Sequence, residues 1–373
     1  MPRRRAPLVA TRPSTATRTE TGHRLTNMWF SDVTSALLLT VPLIRLNTKL
    51  GIEDVDRRYL RRTRGVRAGG RLNPLPCHPM VTLPALEGVE HRFVDLTGGV
   101  TIHVADAGPG DGPAVMLVHG FPQNWWQWHA LIGPLAADGY RVLCPDLRGA
   151  GWSSAPHSRY LKNDMADDLA AVLDRLSVGP VKLVAHDWGG PVAFIMMLRH
   201  PAKVTGFFGL NTAAPWMTRD LSMVRHLWRF WYQIPIALPV IGPRVIADPK
   251  ARYSRMLMSW VGAGFSLPDV DVQMYVECMR EPGHAVAGSR WYRTFQTREM
   301  LRWLRGEFDD ARVDVPVRWL HGTGDPVITP NLLRGYAKRT SDFEIELVDG
   351  VGHWIVEQRP DLVLDRVRAF LRA

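Results

Sequence analysis

Val184-Ala185-His186-Asp187-Trp188-Gly189-Gly190-Pro191 decides how the rest of the chain is read. An apolar run from Val181 ends at Ala185 and Asp187 follows. Small residues sit two before it and two and three after it, and Pro191 opens a helical run. A sharp strand-to-helix turn brings backbone segments so close that only small side chains fit around its tip. Such a turn presents its tip residue, Asp187, beyond the carboxyl end of a sheet and beside a helix N-terminus whose amides favour an anion. Taken alone, the same residues also suit a plain strand-helix turn with a capping Asp.

Working outward, short apolar or β-branched runs bounded by Gly, Pro or Asp recur at Val115–Val118, Arg141–Cys144, Val181–Ala185, Val204–Leu210, Val317–Leu320 and Glu344–Val348. Runs of this kind suit buried parallel strands. Helical periods lie between them, for example Met165, Leu169, Val172 and Leu176, with Asp164 as the expected N-cap. This alternation predicts an α/β domain with a mostly parallel sheet. It stops between residues 215 and 305, a helix-like stretch holding six of the 14 tryptophans, and resumes at Val317. The expected organisation is a core of residues 85–214 and 306–373 with a helical cap of residues 215–305 inserted into it.

Charge sits elsewhere. The chain of 373 residues carries a net +10, yet residues 1–71 alone hold 15 basic and five acidic side chains, which leaves 31 of each sign in the remainder. A neutral body with a basic leader is not the pattern of a nucleic-acid-binding domain, so no nucleic-acid partner is expected. Residues 1–27 read as a disordered basic leader. Residues 28–84 read as a basic extension with an apolar run at 34–46, too short to span a bilayer and interrupted by Pro42. Peripheral membrane contact through residues 28–71 and docking of that run on the body are both open. Activity in solution should survive deletion of residues 1–71 if the body is self-sufficient; loss of folding would mean that 34–71 dock on it. Three widely spaced cysteines (Cys77, Cys144, Cys278) form neither a disulfide framework nor a metal pair. They point to a reducing, cytoplasmic setting and to buried small hydrophobes.

Two further motifs carry chemistry. Leu117-Val118-His119-Gly120-Phe121-Pro122 follows a strand, and Gly120 permits a turn that aims the Phe121 amide into the crevice. With the Trp188 amide it would form a two-donor oxyanion hole. Near the C-terminus, Asp325 and His353 each follow a strand, giving the chain order nucleophile, acid, histidine at 187, 325 and 353. An isolated histidine is usually structural; context separates His353 from the other 12. Asp146-Leu147-Arg148-Gly149-Ala150-Gly151 reads as a glycine-rich turn fixed by an Asp146–Arg148 pair.

With these motifs in place, residues 85–373 resemble the α/β-hydrolase superfamily and, within it, the epoxide hydrolase branch, whose Asp nucleophile it shares with the haloalkane dehalogenases. The resemblance implies an α/β-hydrolase fold with an inserted helical lid and no metal or organic cofactor. It places the nucleophile at Asp187, the acid at Asp325, the histidine at His353 and the oxyanion motif at His119 to Pro122. Two lid tyrosines that hold an epoxide oxygen match Tyr292 and Tyr232, although Tyr253 and Tyr275 lie in the same segment. The implied activity is hydrolysis of a small apolar epoxide by water to a vicinal diol, through an ester on Asp187. Trp125, Trp231 and Trp291, with His119 and Pro122, are the expected pocket residues. A haloalkane dehalogenase with the same triad is the alternative, although Phe121 lacks the side-chain donor usual there. A fluoroacetate dehalogenase would place arginines just after the nucleophile, where this chain has Trp188, Gly189, Gly190 and Pro191. A non-catalytic binding protein on this fold would typically lack a triad member. Oligomeric state is left open.

Overall fold

The structure, a computed structural model, describes Asp56, residues 82–216 and residues 227–373. The expected leader (1–27) and the apolar run (34–46) lie outside the described residues, as do residues 28–71 apart from Asp56.

An eight-stranded sheet organises the chain in the order β1-β2-β4-β3-β5-β6-β7-β8. Its strands are β1 (Val89–Leu96), β2 (Val100–Ala107), β3 (Ala114–Val118), β4 (Arg141–Pro145), β5 (Val181–His186), β6 (Val204–Leu210), β7 (Val317–Gly322) and β8 (Phe343–Val348). From β4 to β8 every neighbouring pair is parallel. The six apolar runs all become strands. The first two strands were not anticipated; they form an antiparallel hairpin whose second strand also pairs antiparallel with β4. The half-exposed face of β1 carries Arg92 and Glu90, so it lacks the apolar continuity of a buried parallel strand.

Both faces of the sheet are covered. The helices are α1 (His129–Ala137), α2 (Lys162–Arg175), α3 (Gly189–Arg199), α4 (Gln233–Ala237), α5 (Ile241–Ile246), α6 (Arg252–Val261), α7 (Asp269–Arg280), α8 (Pro282–Thr294), α9 (Met300–Leu304), α10 (Ile355–Gln358) and α11 (Pro360–Arg372). Side chains of β3 alternate between the two cores. Met116 and Val118 pack with Met165 and Leu169 of α2 and Val192 of α3, whereas Val115 and Leu117 pack with Leu131 of α1 and Val367 of α11. Asp164 lies inside the first turn of α2 and not at its N-cap, which is Leu161. Cys144 and Cys278 are buried free thiols, and burial raises the pKa of both. Among the described residues, no helix is long and apolar enough to cross a membrane.

Helices α4 to α9 occupy the stretch between β6 and β7. A contact from far upstream reaches them: the enclosed Asp56 carboxylate lies 2.8 Å from Arg290 Nε and 3.3 Å from Arg293 Nη1 on α8. Arg293 is buried, and burial pushes its pKa below the usual guanidinium range. Removing one partner of a buried pair typically costs about 3–5 kcal/mol because the other charge stays uncompensated. Asp56→Ala and deletion of residues 1–71 are both expected to lower the urea midpoint markedly. Unchanged midpoints would show that the pair contributes nothing.

Candidate active site

The turn after β5 strains its tip. Asp187 adopts φ +46°, an uncommon conformation for a residue with a side chain. Its carbonyl is held by Gly190 N at 3.0 Å and by Thr212 Oγ1 at 2.6 Å. A Cβ at Gly190 would overlap the Thr212 side chain, and one at Gly120 would sit on the Asp187 carboxylate. Both small residues are therefore demanded by backbone approach. Asp187 Oδ2 accepts from the Phe121 amide at 2.8 Å, and Trp188, at the N-cap of α3, contributes the next amide in the chain.

The other two strand-end residues converge on it. His353 Nε2 lies 3.6 Å from Asp187 Oδ1, and Nδ1 lies 2.7 Å from Asp325 Oδ2. Asp325 is fully held: Oδ1 accepts from the Val327 and Ile328 amides at 2.8 and 3.0 Å, and Oδ2 accepts from Asn211 Nδ2 at 2.9 Å. Burial alone would raise the pKa of both carboxyls. His353 more than offsets it, and each stays below the usual carboxylate range. Burial would lower His353, but the Asp325 and Asp187 carboxylates reverse this and hold it up at about 10.

A cavity opens on these groups. It is lined by Asp187, His353, Phe121, Pro122, Trp354 and Val327 and, from the helical stretch, by Tyr232, Ile236, Ile246, Tyr253, Ser254, Leu257, Met258, Val261 and Tyr292. Among the described lining residues there is no Arg or Lys. Tyr232 and Tyr292 meet edge-to-face with ring centroids 6.2 Å apart. Burial, aided by the nearby Asp187 charge, raises both phenol pKa values far above the ordinary range, so both keep their proton. The Trp188 ring packs edge-to-face on Tyr292, with centroids 5.5 Å apart. The other two tyrosines of the stretch are committed elsewhere: Tyr253 Oη donates to the Tyr232 carbonyl at 2.7 Å, and Tyr275 Oη to Glu357 at 3.1 Å.

Four expected pocket residues do not line the cavity. His119 is buried beneath it, with Nδ1 on the Gly120 carbonyl and Nε2 accepting from the Leu147 amide at 3.0 Å. Trp125 packs in the core on the α1 side of the sheet. Trp291 is turned inward, its indole N–H on the Arg148 carbonyl at 3.1 Å. Trp231 is 39% exposed, against Trp260. Each of the last two neighbours a tyrosine that does line the cavity: Trp291 shares α8 with Tyr292, where adjacent residues face different ways, and Trp231 lies in the turn before α4 with Tyr232 at its N-cap. The expected Asp146–Arg148 pair is also replaced. Asp146 holds the Trp125 and Trp152 amides and pairs with His103 at 2.7 Å, while Arg148 is bidentate on Asp168.

A model of the alpha/beta hydrolase fold matches residues 113–360. The chain belongs to the α/β-hydrolase fold family. Epoxide hydrolase A of Mycobacterium tuberculosis (strain ATCC 25618 / H37Rv) is 28% identical over 75% of this chain and 96% of its own length. A fluoroacetate dehalogenase of Burkholderia sp is 36% identical over 54% of this chain and 68% of its own. The crystal structure of Epoxide Hydrolase A from Mycobacterium thermoresistibile superposes with a TM-score of 0.64 at 26% identity, covering 76% of this chain and 98% of the other.

In this hydrolase the charge arrangement has a stability consequence. A histidine pKa raised above its ordinary 6.5 stabilises the folded state fully below pH 6.5, and that contribution is lost as pH climbs through about 10. The melting temperature of the wild type relative to His353→Gln should therefore show its largest advantage near pH 6 and lose it progressively above pH 6.5. A difference independent of pH would contradict the charge arrangement.

Sequence reading missed Asn211, His186, Gln123 and Glu357. Asn211 follows β6, takes φ +37°, and bridges Asp325 Oδ2, the Gly352 carbonyl and the Gly322 amide. Its place just beyond a strand's carboxyl end, in the same kind of loop as 187, 325 and 353, was an available signal. The other three are linked only by folding.

Proposed function

We propose that this hydrolase opens an epoxide to a vicinal diol through an ester on Asp187. The observation that carries the reading is two protonated tyrosines on the same apolar cavity as the Asp187 carboxylate. Opening an epoxide leaves an alkoxide, which needs a proton; displacing a halide does not. Oδ1 of Asp187, the oxygen free of the Phe121 amide, attacks a ring carbon. The carbon–oxygen bond of the ring breaks, and Tyr232 or Tyr292 supplies the proton. Ester formation removes the Asp187 charge, one of the two that hold His353 protonated. His353 can then pass its proton to the tyrosinate left by ring opening and take one from water, and the resulting hydroxide attacks the ester carbonyl, the departing diol oxygen later taking the proton of the new Asp187 carboxyl. The oxyanion falls at Oδ2, on the Phe121 amide and, with it, the Trp188 amide. Cleavage of the acyl–oxygen bond releases the diol and restores the carboxylate.

The dehalogenase relative raises a second reading, which the cavity disfavours. Among the described lining residues no Arg or Lys awaits a haloacid carboxylate, and the Trp188 ring is packed edge-to-face on Tyr292. Single turnover in 18O-labelled water with enzyme in excess tests the ester route. The diol's new oxygen then comes from Asp187, so the first diol is unlabelled and the protein gains one heavy oxygen. Label in the first diol would mean direct attack by water. Halide release from a haloalkane or fluoroacetate, without diol from styrene oxide or a fatty-acid epoxide, would move the assignment to dehalogenation.

A further inference from the structure

His186, the last residue of β5, is wholly enclosed. Its Nε2 lies 2.8 Å from the His353 carbonyl oxygen, and its Nδ1 lies 3.1 Å from Gln123 Oε1. Both partners are acceptors. The amide nitrogen of Gln123 lies 2.6 Å from Glu357 Oε1, which also accepts from Tyr275 Oη at 3.1 Å, and Glu357 Oε2 is buried with no partner. A neutral imidazole has one N–H and an ionised carboxylate has none. With neutral His186 and ionised Glu357, one contact must therefore set two acceptors face to face. Turning the Gln123 amide over repairs the His186 contact but places its oxygen against the carboxylate. The chain of groups closes only with one more proton.

We propose that Glu357 carries that proton and acts as a positioning residue for His353, donating to Gln123 Oε1. Gln123 Nε2 then donates to His186 Nδ1, and His186 Nε2–H donates to the His353 carbonyl. Every contact is satisfied and the trio adds no net charge beside the Asp187–His353–Asp325 triad. Placing the proton on His186 instead would bury an imidazolium against His353 and leave Glu357 ionised near the buried Asp271. Burial lifts Glu357 to about 7, with Asp271 adding to it and Gln123 and Tyr275 opposing. Burial and His353 push His186 down to about 4, against the opposing pull of Asp187 and Asp325.

When Glu357 ionises, the Gln123 contacts can no longer both be made and the hold on the His353 backbone weakens. Glu357→Gln supplies a donor at any pH. Its kcat should stay within roughly threefold of wild type near pH 6 and should lack the fall that wild type shows between about pH 7 and 9; Glu357→Ala should be slower throughout. Equal loss in both variants without a change in pH profile would overturn the positioning role. The proton itself is read without turnover. Infrared spectra of the wild type near pH 6 should contain a carboxylic-acid carbonyl band that disappears by pH 9 and is absent from Glu357→Gln. Nitrogen-15 spectra should show His186 neutral and protonated on Nε2. No such band, or an imidazolium at His186, would overturn the assignment. The kinetic arm rests on His353 being the base, whereas the spectroscopic arm stands even if no epoxide is turned over.

Discussion

His353→Gln is expected to halt the enzyme after its first chemical step and leave a covalent adduct on Asp187. The adduct's mass should equal that of the intact substrate, because epoxide opening adds every atom to the carboxylate. The imidazole is placed to act on the second step: Nε2 is 3.6 Å from Asp187 Oδ1, and Asp325 fixes Nδ1 at 2.7 Å. Glutamine retains an N–H that can face Asp325, which avoids stranding a buried carboxylate, but it cannot accept a proton from water. Loss of a positioned base typically costs 10²–10⁴-fold, and members of a triad act as a unit, so kcat should fall on the order of 10³-fold or more. Intact-protein mass spectrometry after mixing with excess epoxide reads the adduct, and peptide mapping locates it. Turnover at the wild-type rate would reject the mechanism, as would an adduct on any residue but Asp187.

The second large effect is expected from Tyr232→Phe combined with Tyr292→Phe. Each change removes only a hydroxyl and keeps the ring, so the edge-to-face contact and the apolar lining persist. Burial keeps both phenols protonated across the working range, and without them the alkoxide leaves unassisted. Either single change should lower kcat by roughly 10²-fold, and the double change by about 10⁴-fold, the span of positioned proton transfer. In a His353→Gln background the double change should abolish the adduct, which assigns the loss to ring opening. Tyr253→Phe is the control. Its hydroxyl serves the Tyr232 carbonyl, so about 1 kcal/mol of stability is at stake and little of kcat. If Tyr253→Phe proved as damaging as Tyr292→Phe, the division among the tyrosines would fail.

How much of this was legible beforehand differs by residue for physical reasons. The strands β3 to β7 were legible because a strand buried on both faces must be largely apolar, and β8, a mostly exposed edge strand, was legible from its alternation of Glu344, Ile345, Glu346 and Leu347. β1 was not, because an edge strand tolerates Glu90, Arg92 and Asp95, and β2 was not, because His103 and Asp106 interrupt its apolar residues. Asp187, Asp325 and His353 were legible because each lies in the loop after a strand, and parallel strands deliver their carboxyl ends to one side of a sheet. Trp231 and Trp291 misled because composition cannot say which residue of a turn or helix faces a cavity; a one-residue offset put their tyrosine neighbours there instead.

The basic surplus lies in residues 1–71, and whether that stretch docks on the body was left open by the sequence. Asp56, one of five acids among those residues, is buried against Arg290 and Arg293 on the helix that carries Tyr292. Local rules of strand, turn and spacing determined from the sequence alone an α/β domain with Asp187 at the tip of a strand-to-helix turn, and the resemblance of its motifs added the hydrolase family. Only the tertiary structure decided that Tyr232, Tyr253 and Tyr292 line one cavity with that aspartate while Tyr275 does not, and that Glu357, Gln123 and His186 form a chain ending on the His353 carbonyl. Those contacts join residues up to 234 positions apart, through hydrogen bonds whose partners only folding brings within reach.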